Sequence, residues 1–230
     1  MPTSNISPNK GDRNNKLKVI ILGAGGHAKV VYDIFCRMNC PVSGFIDDNI
    51  KLAGSYLFDL PILGTRNFLD TVNYNDCELF IGIGDADIRM GLFNELQPKK
   101  FRFPNAIHPF SAIGENVKMG VGNAIMAGTI INPYVIIGNC VILNTSCSID
   151  HDCIIEDGVH IAPGAHIGGE VRIGKKSFIG LGASIIQGIT IGANTVIGAG
   201  ATVINDIPEN VLAVGVPAKI KKKTFMYGYP

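Results

Sequence analysis

The stretch VILNTSCSIDHDCIIEDGVHIAPGAHIGGEVRIG, residues 141–174, places an aliphatic residue every six positions, at Leu143, Ile149, Ile155, Ile161, Ile167 and Ile173. Followed outward, the register holds from Ile113 to Val203, sixteen hexapeptides without an insertion, with Met119 standing in once. Glycine follows at 114, 120, 138, 168, 174, 180, 192 and 198, and the fifth position is mostly small or β-branched, as at Thr129, Cys147, Cys153, Val159, Ala165 and Ala201. A period of six suits neither a 3.6-residue helix nor a long alternating strand. It predicts a β-solenoid of short strands and turns, in which each repeat buries its face only by stacking on its neighbours.

The pattern resembles the left-handed parallel β-helix of the hexapeptide-repeat acyltransferases, whose triangular coils take three hexapeptides each. With 18 residues per coil, residues 18 apart stack about 4.8 Å from one another. The first and fifth positions then face inward, so Cys153 is core while Asp150, His151 and Asp152 lie outside. A metal site built on the DHDC run thereby loses its thiol and has no second local His. Gly169 falls one coil above His151, leaving room for a ligand and exposing a backbone N–H, while Leu181 and Ala199 share a column on another face. Two faces reach one ligand when two rods stand side by side, so the expected site is a cleft between subunits and the expected assembly a homotrimer. Flanking carboxylates can raise the basicity of His151 and fix its tautomer. Local sequence alone leaves a solvated, charged turn as the alternative.

The bulk numbers narrow the function classes. The chain of 230 residues is 47% hydrophobic with 28 glycines and no tryptophan, a composition for β-structure with many tight turns. A net charge of +1 gives no electrostatic case for nucleic acid or a membrane surface. No apolar run approaches the roughly 20 residues that span a bilayer. Residues 1–16 lack the apolar core of a signal peptide and are expected to form a flexible tail, with 223–230 a second. Six cysteines without a CxxC pair read as reduced thiols in a cytoplasmic protein.

Residues 17–104 have a different texture, with strands expected at LKVIILG, PVSGFID and CELFIGIGD and helices at AGGHAKVVYDIFCRM and ADIRMGLFNEL. They predict a small Rossmann-like α/β domain with a mostly parallel sheet, followed over 105–222 by the β-helix domain. GAGGHA, residues 23–28, fits the dinucleotide fingerprint, and Asp47 follows about 20 residues on. Fewer than 90 residues cannot make both halves of a full Rossmann domain. Half a site suits a nucleoside diphosphate better than NAD, with a purely structural glycine turn as the remaining alternative.

VIILGAGGHAKVV, GFIDD, IGIGD, NTSCSIDHD and VLAVGVPAKI occur in this order, and together the chain resembles the NeuD/PglD-type sugar O- and N-acetyltransferases over residues 17–222. The resemblance implies acetyl-CoA as co-substrate, no metal, and His151 as general base with Asp152 raising its basicity and Asn144 in the same site. It implies His160, Gly169, Leu181 and Ala199 near acetyl-CoA, with Lys219 and the basic end as candidates for the CoA phosphates. It implies Gly25, Gly26, His27, Asp47, Asp48 and Gly84 around a nucleotide-linked sugar. Bacillosamine-pathway relatives carry Glu where this chain has Asp beside the His, so the reach of Asp152 to the imidazole is open, as is the choice between Asp150 and Asp152. The expected substrate is a UDP-linked 4-amino-4,6-dideoxy sugar. O-acetylation of a sialic-acid-like sugar and a non-catalytic partner of a sugar synthase are the alternatives.

Overall fold

A computed structural model describes residues 17–223; the two expected tails, 1–16 and all but the first residue of 223–230, lie outside the described residues. The N-terminal unit opens with β1 (Lys18–Leu22), α1 (Gly26–Arg37) and β2 (Val42–Ile46), continues through a small hairpin of β3 (Tyr56–Leu57) and β4 (Leu60–Pro61), and ends with β5 (Cys77–Ile81) and α2 (Ala86–Leu96). The sheet is parallel throughout, in the order β2-β1-β5. Helix α1 buries Ala28, Val31, Ile34 and Phe35, an apolar stripe at helical spacing, and stops where Asn39 turns to φ 53. Asp85 caps α2, its side chain accepting the Ile88 N–H at 2.9 Å.

From β6 (Ala106–Ile107) to β22 (Thr202–Val203) the chain makes two-residue strands, and those up to Ser184–Ile185 each pair in parallel with the strand 18 residues on, as Ile131 does with Ile149 and Leu143 with Ile161. The strands stack into three sheets, the faces of a left-handed triangular prism. The solenoid thus begins one strand before the hexapeptide register read from Ile113. It closes with β23 (Val211–Val214), paired in parallel with the strand at 196–197 and antiparallel with β24 (Lys219–Lys223).

The aliphatic ladder fills the prism, with Ile149, Ile161, Ile173 and Ile179 at 0% exposure beside inward Cys147, Cys153 and Val159. A cavity left in this stack cannot collapse, because the coil above and the coil below are fixed by backbone hydrogen bonds. Ile161→Ala is expected to cost about 2–5 kcal/mol, read as a lower urea midpoint at unchanged slope.

The corners have their own period, which the sequence reading did not reach. Every sixth residue from Asn116 to Gly200 has φ between 52° and 73°. Glycine and asparagine accept that conformation readily, but Tyr134, Cys140, Glu170 and Lys176 adopt it too, so the stacked strands on either side impose it. Asp152, at φ 59, is one of these corners, and its backbone is shaped by the fold as a whole.

The N-terminal unit docks on one face of the prism. On that face the outward residues Ala106, Ala124 and Ile142 are buried against Ala28, Val31 and Phe35 of α1. Burial of such side chains is worth roughly 1.5–3 kcal/mol each for the larger ones. The same outward column continues to His160 and Phe178, which pair with their neighbours through Ile142↔His160 and His160↔Phe178.

Candidate active site

His151 stands on the corner between the strands Ser148–Ile149 and Ile154–Ile155. Its Nδ1 lies 2.8 Å from Asp152 Oδ2, which settles the geometry that the sequence left open. Asp150 has other partners: its Oδ1 accepts the His151 N–H at 2.8 Å and the Asn132 amide at 2.7 Å from the coil below. These bonds hold the Asp150 carboxyl below its usual range and fix the turn that presents the ring. The hydrogen bond to Asp152, followed by the charges of Asp150, Asp152 and Glu170, raises the His151 pKa above 6.5. With Asp152 on Nδ1, the free nitrogen is Nε2.

Gly169 sits over the imidazole as the 18-residue arithmetic requires. A Cβ on Gly169 would come within 2.8 Å of His151 Cε1 and Nε2. The room left by the missing side chain is therefore taken by the imidazole itself. Around the ring lies a cleft of about 350 Å³, lined also by Gly168, Glu170 and Gln187.

A second, larger cavity of about 700 Å³ opens at the carboxyl ends of β1 and β5, and all six residues expected around the nucleotide sugar line it: Gly25, Gly26, His27, Asp47, Asp48 and Gly84. Its position is the ligand crevice of an open parallel sheet. Asp47 ties the glycine loop to the end of β2, accepting the Ala24 N–H and the Asn49 N–H at 2.9 Å each. Asp48 pairs with Arg66 at 2.7 Å, and Arg66 reaches Glu95 at 3.0 Å. Arg66 and Glu95 also line the cavity and were missed from sequence, since nothing local marks them.

With the first and fifth positions of each hexapeptide inward, His160 falls on an outward position. It is outward from the prism, but the N-terminal unit covers that face and seals its Nδ1 from solvent. Its Nε2 lies 3.2 Å from the Asn144 amide nitrogen, and its ring meets Phe178 edge-on at 5.1 Å. Burial, then the charge of Arg89 and the neighbouring His27, push its pKa down to about 3. His27 is pushed down to about 4 by burial and Arg89, and its Nε2 is likewise buried without a partner. Both imidazoles are neutral at physiological pH.

The expected residues thus form separate groups in one chain. Asn144 and His160 are bonded at the junction of the two units, while His151 and Gly169 stand on the next corner of the prism. Leu181, 57% exposed, and Ala199 lie on the Asn144 corner farther along the rod, and Lys219 is exposed on the last strand. Among the described residues no three His, Cys, Asp or Glu side chains converge as a metal set. Burial pushes the Cys153 thiol up to about 11 and those of Cys140 and Cys147 up to about 12, so none is a ready nucleophile. No helix among the described residues is long and apolar enough to cross a membrane.

Residues 18–96 match the PglD N-terminal domain family. Among solved structures, a histidine variant of GDP-perosamine N-acetyltransferase from Caulobacter crescentus, in complex with CoA and GDP-perosamine, is 38% identical with a TM-score of 0.85, covering 90% of this chain and 97% of that one. The acetyltransferase domain of PglB from Neisseria gonorrhoeae, in complex with acetyl coenzyme A, is 31% identical with a TM-score of 0.84, over 90% of this chain and all of that one. WeeI from Acinetobacter baumannii is 26% identical with a TM-score of 0.82, over 89% of this chain and all of that one. An uncharacterized protein of Acanthamoeba polyphaga mimivirus is 32% identical over 109 residues, and the chain spans 21% of that curated relative's length. Identity of this order across nearly the whole length, on a shared two-unit architecture, shows that the chain belongs to the hexapeptide-repeat family of acetyl-CoA-dependent sugar N-acetyltransferases.

Proposed function

We propose that the protein transfers the acetyl group of acetyl-CoA to the amine of a nucleotide-linked amino sugar. The observation that carries this reading is the likeness, along almost all of both chains, to the Caulobacter crescentus enzyme held with CoA and GDP-perosamine. The larger cavity supports it: a glycine loop leading into the N-terminus of α1 offers backbone N–H groups to a diphosphate.

In the proposed reaction the sugar amine attacks the thioester carbonyl carbon and His151 Nε2 takes the amine proton. Asp152 keeps the other ring nitrogen protonated and the ring in place. The tetrahedral intermediate collapses to the amide and expels CoA as thiolate, which takes up a proton. The Gly169 N–H is the proposed donor to the oxyanion. Proximity supplies much of the acceleration, because the acyl donor is already activated. A homotrimer fits this scheme, since a neighbouring subunit can bring its Asn144 corner, with Leu181 and Ala199, against the His151 corner.

A UDP-linked 4-amino-4,6-dideoxy sugar remains the finer proposal for the substrate, with the GDP-linked sugar of the Caulobacter crescentus relative as its direct competitor. A reducing cytoplasm suits the six free thiols. The test is CoA release by purified protein over a panel of UDP- and GDP-linked 4-amino and 3-amino sugars. His151-dependent release with one of them is the expected result. Release from a hydroxy sugar alone points to O-acetylation, and no release with any acceptor leaves only a non-catalytic role.

The pH dependence follows from the raised pKa of His151. The base must be neutral, so kcat/KM is constant at high pH and falls as pH drops through a value above 6.5. Asp152→Asn removes the largest cause of the rise. The acid limb is expected to move down toward 6.5, while the plateau falls because the tautomer is no longer fixed. An unmoved limb separates the measured pKa from His151.

A further inference from the structure

Arg89 is the largest fully buried side chain, at 1% exposure, and it lies on the buried stripe of α2 with Leu92, Phe93 and Leu96. We propose that Arg89 is a positioning residue for acetyl transfer, its guanidinium locking the nucleotide cavity onto the solenoid so that a bound sugar faces the Asn144–His160 pair. The proposal rests on the acetyl-transfer reading above.

The guanidinium donates in two directions. Nη1 reaches the carbonyls of Ile83 at 3.0 Å and Gly84 at 2.6 Å, in the loop that walls the nucleotide cavity. Nε reaches the Cys140 carbonyl and Nη2 the Gly158 carbonyl, both at 2.8 Å, at the same corner of two successive coils of the solenoid. Those corners lead directly into the strands Ile142–Leu143 and His160–Ile161, from which Asn144 and His160 project. One rigid fork therefore ties the wall of the sugar cavity to the solenoid backbone that carries Asn144 and His160. A leucine would dock α2 on an apolar face without the desolvation of a cation. A planar fork with donors at fixed angles supplies register, which a lysine cannot.

The charge has a second effect at the same place. Arg89 and His27 are the groups whose charge bears on His160, with Asn144 and Phe178 against its ring. Arg89 also bears on His27. It favours two neutral imidazoles, whose buried Nε2 on His27 and Nδ1 on His160 stay available at the junction.

Arg89→Lys and Arg89→Gln separate the fork from the charge. Arg89→Lys keeps the charge and loses the fork, and is expected to lower kcat with the nucleotide sugar about tenfold or more while the KM for acetyl-CoA stays unchanged. Arg89→Gln removes the charge as well, and histidine-selective NMR is expected to show His27 and His160 titrating at least about one pH unit higher than in wild type, with no such rise for Arg89→Lys. Unchanged kcat per folded molecule in Arg89→Lys, or unmoved histidine titrations in Arg89→Gln, overturns the proposal. Should Arg89→Gln fail to fold, the kcat of Arg89→Lys decides alone. A wild type that acetylates no amino sugar sinks the acetyl-transfer reading instead, and the NMR comparison still decides the action of Arg89 on the two rings.

Discussion

His151→Ala is expected to lower kcat for amine acetylation by about 10²–10⁴-fold while the affinities for nucleotide sugar and CoA stay within about twofold. The size follows from the chemistry. An amine gaining a bond to the thioester carbon becomes strongly acidic, and a positioned base removes the proton as the bond forms. The selectivity follows from the place of the residue. Its side chain is 54% exposed on a corner of the prism and contributes nothing to the aliphatic ladder. The nucleotide cavity is lined by other residues altogether. Melting temperature should be near wild type, since an exposed side chain outside any buried network is worth within about 0.5 kcal/mol. A variant with full kcat, or one that loses activity only through weaker sugar binding, would deny His151 the role of base.

Gly169→Ala should be nearly silent in stability and costly in rate. The added methyl would sit 2.8 Å from Cε1 and Nε2 of His151, closer than atoms in contact ever approach. Something must move, and the imidazole is the mobile partner because its far edge is exposed. The ring swings off Gly169, which strains its 2.8 Å bond to Asp152 and displaces Nε2. A displacement of about 1 Å at a reacting group can cost about 100-fold, and that is the expected loss in kcat. Gly180→Ala makes the contrast: there the new Cβ would lie 2.5 Å from the Ala199 backbone nitrogen, which cannot swing away, so the cost appears in stability. Equal kcat in Gly169→Ala and wild type, checked by steady-state assay beside a thermal melt, would remove the imidazole from that column.

How much of this was legible in the sequence depends on whether a signal is local. The six-residue ladder is local and repeated, and with the three-hexapeptide coil that the resemblance implied it placed the thiols of Cys147 and Cys153 inward and joined His151 to Gly169 in one column. The glycine loop and the acid about 20 residues later are also a local signature, and they led to the cavity. What escaped was set by contacts between distant segments. His160 reads as an exposed outward residue until α1 is laid over Ala124 and Ile142 in the same column. The left-handed corners at Tyr134, Glu170 and Lys176 carry no turn chemistry of their own. Arg66 is placed in the cavity by partners 18 and 29 residues away. Arg89 did leave a trace, as the one cation on the apolar stripe of α2, and a charge at a buried helical position is a signal that can be used.

The most direct measurement is mass spectrometry of the products when wild-type protein is given acetyl-CoA and a nucleotide-linked 4-amino sugar, beside the matching hydroxy sugar. The expected result is acetyl on the amine, free CoA in equal amount, no acetylated protein, and loss of both products in His151→Ala. Acetyl found on a cysteine of the protein, or CoA released without an acetylated amine, would contradict direct transfer through His151.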